Sequence, residues 1–239
     1  MSVSLDSFPK NFRALVFGAR GGIGAAFVAA LDDNLDGRAQ VTALTRADID
    51  VTDEAALAKL AEAQKSEGAL HLVINATGLL HEAQTDVQPE KALRQISADA
   101  MARVFAVNAI APALIAKYFL PLMARDTKSV MAHLSARVGS ISDNRLGGWT
   151  SYRAAKAAQN MIVKNAAIET ARRDKQKIII GLHPGTVDSP LSAPFQSNLA
   201  EGQLFTAAQS AAHLLRVIDG LSATDSGKVF AWDGSQVPA

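Results

Sequence analysis

Tyr152 and Lys156 are the residues of this chain best suited to chemistry. They stand four apart in Ser151-Tyr152-Arg153-Ala154-Ala155-Lys156, so on a helix both side chains share a face and act on one site. A phenol has a reference pKa of about 10, and a neighbouring cation favours its anion, which moves it toward a working acid/base value near neutrality. An ordinary helix surface also offers such a pair, so its surroundings decide the matter. The chain has only two tyrosines, and this one opens an Ala-rich stretch that follows an apolar run.

The second chemical feature is Phe17-Gly18-Ala19-Arg20-Gly21-Gly22-Ile23-Gly24. Glycines allow a tight turn and a close backbone approach, so that a diphosphate can sit at the positive end of the following helix. A glycine cluster between a buried strand and a helix is the setting a dinucleotide site requires. The spacing here is G-x-x-x-G-x-G. About 20 positions on, an acid would bond the ribose hydroxyls of NAD. The chain has Leu44-Thr45-Arg46 there instead. Arg20 and Arg46 suit a ribose phosphate, which guanidinium groups grip bidentately, and that predicts NADP(H). The alternative is that both are solvated surface charges.

These groups need a scaffold, and the hydrophobic pattern supplies one. Short β-branched or apolar runs at 13–17, 41–45, 49–51, 70–75, 129–134, 177–182 and 228–232 predict seven strands. Most are apolar on successive residues, as a strand covered on both faces by helices must be. Ala-rich helical stretches lie between them at 23–31, 54–65, 98–123, 149–173 and 207–221. This alternation predicts an α/β fold, a doubly wound parallel seven-stranded sheet of the Rossmann type, with its ligand crevice at the carboxyl ends of the strands. No linker or repeat divides the chain, so residues 1–239 read as one domain. Residues 183–206 carry prolines and glycines over a length unusual for a connection. They read as a substrate loop or, alternatively, as a short helix with irregular flanks that only packs.

The ordered set of motifs resembles the short-chain dehydrogenase/reductase family, in its C-factor-like and carbonyl-reductase-like branch, from about residue 13 to residue 233. Beyond Gly18, Arg20, Gly22, Ile23, Gly24 and Arg46, the resemblance implies cofactor contacts from Asp50 and Val51 against the adenine. It adds Asn75, Ala76 and Gly78 in a segment like the family's Asn-Asn-Ala-Gly. It also adds Pro184, Gly185 and Val187, with Ser189 at the carboxamide-binding place. It implies a catalytic set of Ser135, Tyr152, Lys156 and Asn108, in which the serine holds the substrate oxygen, the lysine also binds the ribose and Asn108 supports a water. Ser140 remains an alternative to Ser135, because it lies nearer the usual spacing from the tyrosine. Asn108 stands mid-helix, where a side chain of that type marks a local irregularity.

Composition narrows the function further. A net charge of +1 gives no electrostatic reason to expect nucleic acid or an anionic membrane as the main partner. The chain has no cysteine, hence no disulfide frame and no thiolate chemistry, and a cytoplasmic location is expected. The N-terminus lacks the apolar core of a secretory signal, the run at 104–116 is too short to span a bilayer, and no membrane association is expected. The five histidines show no metal-ligand spacing. The expected function is an NADP(H)-dependent oxidoreductase that interconverts a small-molecule carbonyl and alcohol. The alternative is a cofactor-binding regulatory or signalling protein without chemistry. The Ala-rich helix at 149–173 and the family resemblance together predict a homodimer or homotetramer.

Overall fold

The computed structural model describes residues 3–33, 37–196 and 202–238. Its main sheet contains β1 (Phe12–Phe17), β2 (Ala39–Leu44), β3 (Leu72–Asn75), β4 (Ser129–Leu134), β5 (Lys177–His183) and, last in the chain, β8 (Val229–Ala231). All neighbours run parallel in the order β2-β1-β3-β4-β5-β8. The chain leaves β1 outward to β2 and then returns to the other side of β1, so the strand order reverses between β1 and β3. Such a reversal opens a crevice above the carboxyl ends of the strands.

Six strands form this sheet where seven were expected. Residues 49–51 link two turns instead, closed by Ile49 N on Thr45 O and Asp53 N on Asp50 O. Asp48 accepts from both the amide and the hydroxyl of Thr45 at 2.8 and 2.6 Å, and the amides of Asp48 and Ile49 bond Thr45 O. The apolar signal came from Ile49, which is buried beneath α2 (Glu54–Lys65) as part of a turn. A separate two-stranded ribbon pairs β6 (Thr186–Val187) with β7 (Leu204–Phe205). Residues 197–201 of the expected substrate loop lie outside the described residues.

The strands bury both faces, as their unbroken apolar runs require. From β1, Ala14 and Val16 pack with Phe27 and Leu31 of α1 (Gly22–Asp33) and with Leu214 and Leu215 of α6 (Ala207–Gly220). Leu15 and Phe17 point the other way, to Leu57, Ile115 and Phe119. Each Val, Leu, Ile or Phe among them contributes about 1.5–3 kcal/mol by leaving water. Helix starts follow the sequence: Asp53 caps α2 through Ala56 N, and Thr206 and Gln209 form a capping box on α6.

The expected helix 98–123 is not uniform. It comprises α3 (Ala98–Phe105), a wider π turn at Ala106–Ile110, α4 (Ala111–Phe119) and a tight turn at Leu120–Leu122. By length and composition, Ala98–Leu122 could cross a membrane. Here Ile115, Ala116 and Phe119 instead fill the core beside the sheet. Pro112 lacks an N–H, so the helix cannot close regularly onto Asn108. The Ala111 amide bonds Ala106 O across the widened turn.

Candidate active site

The glycine loop is fixed by space that only glycine leaves. Gly18 has φ +78°, and a Cβ there would lie 3.0 Å from the Ala76 carbonyl carbon. A Cβ on Gly24 would lie 2.1 Å from Gly18 O, inside any permissible contact, whereas one on Gly22 would meet only Ser189 Cβ at 3.4 Å. The amides of Gly18 and Ala19 both bond Leu44 O at the end of β2. The loop therefore leads into α1, whose first turn carries no acidic residue. An anion has open access to the amides there.

A cavity of about 320 Å³ joins this loop to the predicted reaction centre. Arg20, Gly22, Ile23 and Gly24 line one side, Ala76 and Gly78 another, and Pro184 and Ser189 a third. Ser135, Tyr152 and Lys156 complete it. A larger groove of about 810 Å³ runs between α4 and α5 (Thr150–Ala171), past Lys117, Arg125 and Glu169, and contains none of the predicted site residues. Chemistry, not size, identifies the site.

Several predicted residues stand apart from that cavity. Arg46 is 79% exposed and pairs with Glu82 at 3.4 Å, and it does not line the cavity as Arg20 does. Asp50 closes an Asx turn onto Thr52 at 2.9 and 2.7 Å, which holds its carboxyl below the usual range, and Val51 follows in the same turn. Asn75 is buried, accepts from the Thr77 amide and hydroxyl, and faces His133 Nδ1 at 3.3 Å. Gly185, at φ +75°, lies under the Phe205 ring, and Val187 is buried. Of these, Asn75 and Gly185 adjoin Ala76 and Pro184, which line the cavity.

Tyr152 and Lys156 occupy one buried face of α5, with the lysine Nζ 5.8 Å from the phenol ring centre. The ammonium donates to Leu134 O at 2.7 Å and to Gln159 Oε1 at 2.8 Å. The expected lowering of the phenol pKa does not occur in this state. Burial pushes the Tyr152 phenol above its ordinary value and pulls Lys156 down to about 7, since both groups lose water around their charged forms. Sequence spacing showed the neighbour but not the depth.

Of the two candidate serines, Ser135 lines the cavity. Its hydroxyl donates to Asn160 Oδ1 at 2.7 Å. Ser140 is buried in the following loop, where its oxygen accepts from Asp143 N at 3.1 Å. Asn108, fully buried in the π turn, behaves as its mid-helix position predicts. Its amide donates to Leu79 O and Val104 O and its carbonyl accepts from Leu79 N, at 2.6, 3.0 and 3.1 Å.

Four further residues carry the site without having been singled out. Asn160 and Gln159 follow Lys156 on the same helical face, so helical periodicity alone could have found them. Glu90, buried in the loop after β3, accepts from Ser151 N at 3.3 and 3.2 Å and from the Ser151 hydroxyl, while its backbone carbonyl accepts from Trp149 N. No sequence signal linked that loop to the start of α5. His81 Nε2 lies 3.1 and 3.2 Å from the carbonyl oxygens of Pro190 and Leu191, tying the loop after β3 to the one after β6.

This sheet order and glycine loop define a doubly wound dinucleotide-binding type of scaffold with a Tyr/Lys pair at its crevice, and sequence comparison gives the family. The chain belongs to the short chain dehydrogenase family, whose profile matches residues 29–200. C-signal of Myxococcus xanthus is 35% identical over 138 residues, 58% of this chain and 78% of that protein. The 1-hydroxy-2-glutathionyl-2-methyl-3-butene dehydrogenase of Rhodococcus sp. strain AD45 is 33% identical over 137 residues, 57% of this chain and 58% of that protein. Among solved structures, the NADPH-bound carbonyl reductase from chicken fatty liver superposes with TM-score 0.79 at 24% identity, over 97% of this chain and all (100%) of the other. The carbonyl reductase Sniffer of D. melanogaster gives 0.78 at 18%, over 97% and 100%. At these identities the solved structures show the fold.

Proposed function

We propose that the chain is an NADP(H)-dependent oxidoreductase that interconverts a carbonyl and an alcohol on a small molecule. The observation that carries this reading is the shared cavity, in which Ser135, Tyr152 and Lys156 face the glycine loop at the start of α1. Bound NADP(H) would supply or take the hydride. The Tyr152 hydroxyl passes the proton to or from the substrate oxygen. Burial keeps the Tyr152 hydroxyl protonated, as a donor for carbonyl reduction must be, and the Lys156 charge beside it would have to bring its pKa down for the transfer to be fast. Lys156 keeps one of its three donors for the cavity after bonding Leu134 and Gln159. With its proton given to Asn160, Ser135 offers an acceptor to an alcohol. Turned away from Asn160, it donates to a carbonyl oxygen, where charge develops.

Arg20 lines the cavity and supports the phosphate preference, and exposed Arg46 follows Leu44, whose carbonyl the glycine loop bonds. Titration with both dinucleotides tests the preference, since NAD(H) binding as tightly as NADP(H) removes it. Tyr152→Phe should lower turnover of aldehydes, ketones or quinones by roughly a hundred- to ten-thousand-fold and leave the cofactor Kd nearly unchanged. An unimpaired Phe variant would end the proposed chemistry. A signalling role is the second reading, favoured by the similarity to C-signal over most of that protein. It requires cofactor binding with no turnover across the same substrate panel. Exposed Met161 and Ile168 on α5 support the homodimer or homotetramer, which sedimentation tests. The cytoplasmic location is tested by cell fractionation.

A further inference from the structure

The buried face of α5 that carries Tyr152 and Lys156 carries one more polar side chain that the proposed reaction leaves unused. Gln159 is 1% exposed. Its Oε1 accepts from Lys156 Nζ at 2.8 Å, and its Nε2 donates to Leu134 O at 3.2 Å. Lys156 Nζ donates to that same carbonyl at 2.7 Å, which closes a triangle. The amide fits only one way round. An ammonium has donors alone and a carbonyl oxygen only accepts, so the amide oxygen must face the lysine and its nitrogen must face Leu134. Leu134 ends β4 and precedes Ser135, so the triangle also joins the ammonium to the backbone that carries the serine.

A buried ammonium has lost its water and needs oxygens in its place. Among the described residues no carboxylate bonds Lys156: Glu90, at the start of α5, is taken up by the Ser151 amide and hydroxyl, and desolvation governs the lysine's titration. The ionisable groups on the elements packed here do not help it. His133 on β4 is neutral, held down to about 3 by burial and by the Lys156 charge itself. Arg137, on the turn after β4, pairs with Asp143, and Arg103 on α3 pairs with Glu82. Asp99 lies at the far, exposed start of α3. On β5, His183 is held neutral at about 4 and Lys177 pairs with Asp174. On α4, Lys117 pairs with Glu54, and on α5 itself Tyr152 favours its neutral form while Arg153 bonds Gly148 O. The charge therefore rests on two neutral oxygens, those of Leu134 and Gln159.

We infer that Gln159 is a positioning residue for Lys156: its side-chain oxygen keeps the lysine charged and fixes the direction in which the remaining donor meets the cavity. This rests on the reading of Lys156 as part of the reaction centre and adds what holds it there. The neutral amide suits the task because it supports the ammonium without cancelling its charge.

The test is an NMR titration of lysine carbons labelled at Cε in the cofactor-free chain, with the Lys156 signal assigned by its loss in Lys156→Met. Gln159→Leu should lower the Lys156 midpoint by about one to two pH units, the equivalent of one hydrogen bond to a charged group. Gln159→Glu should raise it by at least about one unit, since an anion replaces a neutral acceptor. In steady-state assays the alkaline limb should move in the same two directions. A packing role would not give shifts of opposite sign at one position. Midpoints that stay put, or that move the same way in both variants, overturn the inference. If the Leu variant fails to fold, the near-isosteric Glu variant decides by itself, and an unmoved or lowered midpoint there is fatal. Because no substrate is present in the titration, a chain that shows both shifts but reduces no carbonyl compound keeps the Gln159 assignment and sinks the proposed reaction.

Discussion

Helices α1 and α5 both begin at the candidate cavity, and each has N-terminal amides to satisfy, but they do so by opposite means. At α1 the approach is backbone alone: glycines pressed against Gly18 and Ala76, and no acid in the first turn. At α5 the chain supplies its own anion, with Glu90 reaching across 61 positions to the Ser151 amide and hydroxyl. The same attraction of helix starts for negative charge operates at both. The α1 end is left open for a ligand, and the α5 end is closed so that Tyr152 and Lys156 stay in place. One half of the site is made of absent side chains and the other of interlocked ones.

Substitutions should separate the two halves. On the interlocked side, Ser135→Ala should cut kcat about a hundredfold while Ser140→Ala stays near wild type, as parallel kinetics will show. The reverse ranking would transfer the role to Ser140. On the open side, Gly24→Ala should weaken NADPH binding roughly ten- to a hundredfold, as expected for an overpacked backbone contact. Gly22→Ala, with its nearest neighbour at 3.4 Å, should bind nearly normally, both affinities being read by NADPH fluorescence titration. Equal losses at both positions would mean that the loop is not shaped by the Gly24 contact. Glu90→Leu should cost about 2–3 kcal/mol by stranding the Ser151 donors, a fall in Tm of roughly 5–10 °C for a chain of this size, with little change in NADPH affinity.

The most diffuse effect is that of pH on the strands beneath. His133 and His183 are held neutral, with pKa values lowered to about 3 and about 4 chiefly by burial. Above the unfolded value of about 6.5 neither state binds the proton, so the stability is fully present there. As pH falls below 6.5 the unfolded chain takes up protons that the folded chain refuses. Unfolding free energy should drop by roughly 2–3 kcal/mol by pH 5.5, measurable by denaturant titration. A flat profile over that range would show that both rings reach solvent.

The sequence displayed these halves unequally. The glycine spacing, the Tyr/Lys face and the irregularity at Asn108 are local features, readable because a helix turn or a strand-to-helix corner is specified by consecutive residues. The pairing of Arg46 with Glu82, the bond from Glu90 to Ser151 and the neutral state of Tyr152 depend on segments distant in the chain and on burial, which spacing does not encode. Residues 49–51 misled for a related reason: Ile49 is apolar because it is buried, yet Asp48 folds its surroundings into a turn. Spacing to Tyr152 alone favoured Ser140, yet the loop after β4 leaves Ser135 lining the same cavity as Tyr152.

Asn108 holds both polar main-chain groups of Leu79, so the chain leaving β3 is anchored at its first step over the cavity. The exposed turn at 83–86, closed off by the Glu82–Val87 bridge, can then behave as an exchangeable cassette. Transplanting residues 83–86 from another family member should alter which molecules enter while preserving the dinucleotide floor and the bond from Glu90 to Ser151. A graft begun at Leu79 would unfasten the anchor and disturb the widened helix along with the roof.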